Sequence, residues 1–187
     1  MGEGNPNIRL FVGIQPPEDL RRAYLDALDA LDPPPDPRRR DIPPEHVHMT
    51  LQFIGGIPER EVDATIESVE RSAAGLPPFA LTPLQLVNFP ERGAPRLIAL
   101  EFDAPPTLME VRRRLVQRLA RRPRRENPER FTPHMTLARF KPDARPTRIR
   151  QSVSLPVFEV DKIILFRSHL KPTGAVYTRQ SAAALRG

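Results

Sequence analysis

A chain of 187 residues, 39% hydrophobic and 28% charged, is long enough to bury a core and too apolar to stay wholly disordered. It has no cysteine, which excludes a disulfide framework, a thiolate nucleophile and a zinc–thiolate site, and is consistent with a reducing compartment. Its 29 basic and 23 acidic side chains leave a net charge of +6, and all the basic residues except Lys141, Lys162 and Lys171 are arginine, a surface that attracts phosphate.

The N-terminal segment has no apolar stretch behind a basic flank, so neither a signal peptide nor a membrane span is expected, and the expected location is cytoplasmic. Pro6 stands where a myristoylation signal needs Ser or Thr. Ile8 to Ile14 reads as a strand, with Leu10, Val12 and Ile14 on one face and Arg9, Phe11 and Gly13 on the other. After Pro16-Pro17, residues Glu18 to Leu31 read as a helix, because Leu20, Tyr24, Leu25, Leu28 and Leu31 keep the 3.6 period. The Pro- and Arg-rich run Asp32 to Pro44 reads as a loop, with Arg38-Arg39-Arg40 solvated. His46 to Ile54 is a second strand that buries Val47, Met49, Leu51 and Phe53 and stops at Gly55-Gly56.

Pro58 to Ala74 is a second helix. Phe79 to Asn88 and Arg96 to Phe102 form a strand pair across the loop Phe89 to Pro95. Thr107 to Arg122 is a third helix on a Leu108, Val111, Leu115, Leu119 stripe, and its arginines, with those running on to Arg125, read as a solvated face that could guide RNA. Pro133 to Phe140 is a strand, and Lys141 to Ser154 a loop. Pro156 to Ser168 and Ala175 to Gln180 are strands around the turn Lys171-Pro172-Thr173-Gly174. This order points to an α+β chain, residues 1–187 as one domain, with two pseudo-symmetric halves.

The symmetry rests on one phrase: His48-Met49-Thr50-Leu51 recurs letter for letter as His134-Met135-Thr136-Leu137. Strand side chains alternate faces, so each copy aims His and Thr one way and buries Met and Leu the other way. Imidazole titrates near neutral pH, so one neutral and one protonated histidine can share a cleft as base and acid. Thr50 and Thr136 can donate hydrogen bonds to phosphate oxygens as charge develops. No phosphate loop, dinucleotide fingerprint or serine elbow is present, and no acidic cluster has magnesium-binding spacing. Metal-free acid–base chemistry on a strained cyclic phosphodiester is what these residues support, with no cofactor expected. The residues leave open which histidine takes the proton and which gives it.

The segments IRLFVGI, HVHMTLQFIGGI, FTPHMTLARF and LFRSHLKPTGAVY together resemble, in order and over nearly the whole chain, the 2H phosphoesterases. The nearest resemblance is to the RNA 2′,3′-cyclic phosphodiesterases, also called LigT/ThpR or 2′-5′ RNA ligase proteins. The resemblance implies a pseudo-symmetric, two-lobed fold, with antiparallel sheets lining a central cleft and helices outside. It implies hydrolysis of RNA 2′,3′-cyclic phosphate ends to 2′-phosphates without a metal; the expected partners are RNA ends of this kind, tRNA fragments among them, or cyclic nucleotides, and the expected state is a monomer. Joining of RNA ends through a 2′-5′ bond is the second implied activity. His48 would then protonate the departing 3′-oxygen, His134 would activate water, and Thr50 and Thr136 would hold the phosphate.

Arg139 matches the arginine after the family's second motif, yet strict alternation puts it on the Met135 and Leu137 face, so a bulge is needed to bring it to the phosphate. Phe11 either stacks on a base or packs as a second core layer. Tyr177 reads as packing, and Ser168 and His169 as structural. Two rival readings compete: a metal hydrolase using His46, His48, His134 and His169, and a non-catalytic RNA-binding module. A third stays within the same chemistry, with another cyclic or 2′-5′ linked nucleotide as substrate.

Overall fold

The computed structural model describes residues 7–32, 34–90, 93–120, 131–172 and 174–187. The expectations for Met1 to Pro6, for Arg121, Arg122 and the arginines up to Arg125, and for Thr173 fall outside these residues.

Eleven described strands and three helices run in the order β1 (Ile8–Ile14), α1 (Glu18–Asp29), β2 (Arg39–Asp41), β3 (Met49–Ile57), α2 (Val62–Ala73), β4 (Phe79–Leu81), β5 (Pro83–Phe89), β6 (Leu97–Phe102), α3 (Pro106–Leu119), β7 (His134–Phe140), β8 (Arg150–Ser152), β9 (Phe158–Val160), β10 (Lys162–Lys171) and β11 (Gly174–Ala184). Nine of these strands form one antiparallel sheet, ordered β11-β10-β1-β3-β7-β6-β5-β8, with β2 added on β7. β4 and β9 form a separate pair. The α+β class read from the sequence is the observed one.

The two motif strands are central neighbours in this sheet. β3 and β7 are joined by a single registered pair, Met49 with Met135, and diverge on either side of it. An antiparallel pair of directly opposed residues has a local twofold axis normal to the sheet. That axis relates β11-β10-β1-β3 to β7-β6-β5-β8, so the two halves anticipated from the repeat meet at one residue pair.

The core lies on one face of the sheet. Leu10, Val12, Ile14, Met49, Leu51, Leu100, Met135 and Leu137 pack there against Tyr24 and Leu28 of α1, Val69 of α2 and Leu108, Val111 and Leu115 of α3. α1 begins where expected, after Pro16-Pro17, and α3 begins one residue before the expected Thr107, with Pro106 at its first turn, where its missing N–H costs nothing; α2 begins at Val62 rather than Pro58, after a 3-10 turn over Glu59–Glu61. Among the described residues no helix is long and apolar enough to cross a membrane.

Several boundaries differ from the sequence reading. β3 continues through Gly55-Gly56 to Ile57, since Gly55 adopts φ 86° where the strand bulges and pairing then resumes. The expected strand Phe79 to Asn88 divides at Thr82, β4 joining β9 while β5 enters the main sheet. The two polar loops each hold a short strand, β2 and β8, whose side chains are largely exposed and therefore show no apolar alternation.

Met49 and Met135 are both fully buried. Replacing either with Ala is expected to cost about 2–5 kcal/mol in urea unfolding. As cross-strand partners they should couple, so the double variant is expected to depart from the sum of the singles by more than about 0.5 kcal/mol.

Candidate active site

The face of the sheet opposite the helices opens into a cleft of about 920 Å³ that contains both histidines and both threonines of the repeat. Because Met49 lies opposite Met135 and the strands run antiparallel, His48 falls across from Thr136 and Thr50 across from His134.

Each imidazole is fixed in the same way. His48 Nδ1 lies 2.6 Å from the His46 carbonyl, and His134 Nδ1 lies 2.8 Å from the Thr132 carbonyl. A carbonyl only accepts, so Nδ1 carries the proton in both rings and Nε2 is left for chemistry. His48 Nε2 is 3.1 Å from the Thr50 hydroxyl, which donates to it while the ring is neutral. Each ring also rests on a phenylalanine: Phe11 lies 4.9 Å from His48 and Phe89 lies 4.9 Å from His134, between ring centroids. Gly13 leaves room for this arrangement, since a Cβ there would stand 2.6 Å from the Met49 carbonyl oxygen and 3.5 Å from the His48 ring.

Arg139 reaches the cleft by the bulge that strand parity demanded. The β6–β7 register slips at Leu137, so Thr136 pairs with Ala99 and Arg139 with Leu97, two positions on the same face of β6. The first motif repeats this slip at Leu51: Thr50 pairs with Gly13 and Phe53 with Phe11. Phe53 is therefore 72% exposed, in the cleft rather than in the core face read for it. Phe53 occupies, in its half, the place of Arg139 in the other. Aligning HMTLQF with HMTLAR was the signal that could have shown it.

Phe11 takes the second of its two expected roles. It is 4% exposed and is enclosed by His48, Phe53, Phe166 and Tyr177, which makes it a floor beneath His48 and leaves no face for a base. Tyr177 packs edge-on to His48 and against His46, as expected for a packing residue. His169 bonds Thr178 on the exposed hairpin. Among the described residues no three His, Asp or Glu side chains are placed to share a metal ion, so the ligand set of the metal-hydrolase rival is not assembled.

Three of the α3 arginines, Arg112, Arg113 and Arg114, are held by neighbours. Arg113 and Arg114 both pair with Glu110 at 2.7 Å. Arg112 turns inward, donates to the Leu51 carbonyl at 2.6 Å and lies 4.5 Å over the Phe131 ring. It thus ties the bulge that follows the first motif to the segment that precedes the second.

Residues 12–172 match the sequence model of the 2′-5′ RNA ligase superfamily. The chain belongs to this superfamily. A superfamily relative from Thermus thermophilus, named RNA 2′,3′-cyclic phosphodiesterase, is 32% identical over 188 residues, covering 96% of this chain and 91% of that protein. The crystal structure of TT0787 from Thermus thermophilus superposes with a TM-score of 0.76 at 30% identity, over 96% of this chain and 98% of that one. The structure of E. coli LigT complexed with 3′-AMP has the same fold, with a TM-score of 0.76 at 22% identity over 97% and 99% of the two chains.

Burial lowers the proton affinity of His48 below the ordinary value of 6.5; the bond to the His46 carbonyl opposes this, while His46, Arg139 and His134 add to it. The unfolded chain therefore takes up this proton first on acidification. The associated stability is complete above pH about 6.5 and is lost as pH falls below it. Imidazole signals followed by NMR from pH 8 to 4.5 are expected to give His48 a midpoint below 6.5; a midpoint above it would contradict this geometry.

Proposed function

We propose that the cleft hydrolyses RNA 2′,3′-cyclic phosphodiester ends to 2′-phosphomonoesters by two-histidine acid–base catalysis, and that residues 1–187 act as one cytoplasmic, monomeric domain. The observation that carries this reading is the matched pair of imidazoles, each with Nδ1 tied to a backbone carbonyl and Nε2 facing the same cleft. The names of the superfamily relatives support the substrate class.

In the proposed step one Nε2 takes a proton from water as the water oxygen bonds to phosphorus. The P–O3′ bond breaks, and the other Nε2 gives its proton to the departing 3′-oxygen. Thr50 and Thr136 donate to the non-bridging oxygens, and Arg139 balances the charge that builds there. Each proton transfer contributes roughly 10²–10⁴-fold in rate. With an RNA 5′-hydroxyl in place of water, the same displacement joins two ends through a 2′-5′ bond.

The division of labour has two readings with opposite consequences. The family resemblance makes His48 the acid. Its burial, which favours the neutral ring, makes it the base. A substrate with a nitrophenolate leaving group needs no acid, so the variant that keeps activity on such a diester identifies the acid.

His48→Ala and His134→Ala are each expected to lower turnover of an RNA 2′,3′-cyclic phosphate by at least about 100-fold, with binding of the product nucleotide retained. Wild-type turnover in both variants would overturn the proposal, and retained binding without turnover in the wild type would favour a binding module.

A further inference from the structure

We infer a second phosphate site at Arg40, which receives the phosphodiester on the 5′ side of the terminal nucleotide; the inference rests on the cyclic-phosphate reading of the cleft. β2 pairs with β7 so that Arg40 stands directly opposite Arg139. Directly opposed residues share a face and bring their Cβ atoms to about 5 Å, where like charges repel. Since the Leu137 bulge turns Arg139 into the cleft, Arg40 enters it too, and both residues line the cavity.

The two preceding arginines point elsewhere. Arg38 pairs with Asp36 at 2.9 Å, and Arg39 pairs with Asp29 and with Asp41, the latter at 2.7 Å. Asp41, which Arg39 holds, also borders the cavity. Arg40 is directed the other way by strand alternation and lies over the tip of the β10–β11 hairpin. A Cβ on Gly174 would stand 3.2 Å from its guanidinium, and the φ of 129° at that position also calls for glycine.

Arg139 acts electrostatically on His48, which places it beside the reacting phosphate, with Arg40 one strand further out. Two adjacent guanidiniums directed into one cleft suit a ligand with two phosphates. A substrate with a 2′,3′-cyclic end has no nucleotide downstream. Its second phosphate is therefore the one on the 5′ side. The protein so built prefers the end of an RNA chain to a free cyclic nucleoside phosphate.

The test compares adenosine 2′,3′-cyclic phosphate with its 5′-phosphorylated form in the wild type and in Arg40→Ala. The 5′-phosphate is expected to raise kcat/KM about tenfold or more in the wild type, mostly through KM, and this ratio should fall to near one in Arg40→Ala and be partly restored in Arg40→Lys. A wild-type ratio near one, or an unchanged ratio in Arg40→Ala, overturns the second site. Failure of the wild type to turn over either compound would sink the proposed function instead. Calorimetry with adenosine 2′-monophosphate and adenosine 2′,5′-bisphosphate then reads Arg40 without turnover, by the same loss of preference.

Discussion

One backbone pairing governs this site. Met49 opposite Met135 is the sole registered contact between the two motif strands. Its antiparallel sense supplies the twofold axis that puts each histidine across from the other copy's threonine. The buried methionines anchor this pairing in the helix-covered core, and the strands diverge beyond it, which opens the space a phosphate needs. The chemistry on one face thus depends on packing on the other.

The second constraint is the departure from strand parity. An uninterrupted strand after His-x-Thr would place the third residue after each threonine in the core rather than the cleft. A bulge at Leu51 and another at Leu137 return Phe53 and Arg139 to the cleft. Arg112 holds the first bulge by its carbonyl and reaches across to Phe131, so α3 takes part in setting the spacing of the two motifs. The halves therefore share the His-x-Thr groups but differ in what flanks them: an exposed aromatic ring on one side, a pair of cations on the other. This asymmetry suits a substrate with a base at one end and charge at the other.

Features that depend on neighbours in the chain were legible in the sequence. Period-two alternation placed His48, Thr50, His134 and Thr136 on one face, and the 3.6 period marked all three helices. Features set by register with distant strands were not. The arithmetic that buried Phe53 is the same that left Arg139 in conflict, and only the pairing with β1 and β6 resolves both. Phe11 could not be assigned between base and core until Phe166 and Tyr177, from the far end of the chain, were seen around it. β2 and β8 carry no hydrophobic pattern because both lie at exposed positions, so Arg40 read as one more arginine in a polar loop.

The burial of His48, the locked tautomers and the matched threonines are the features on which the proposed cleavage of the P–O3′ bond of a cyclic phosphate draws. The regiochemistry of that cleavage tests the account most directly. RNA ending in a 2′,3′-cyclic phosphate should be incubated with the protein and the new end identified. The account predicts a 2′-phosphate beside a free 3′-hydroxyl; a 3′-phosphate would contradict it.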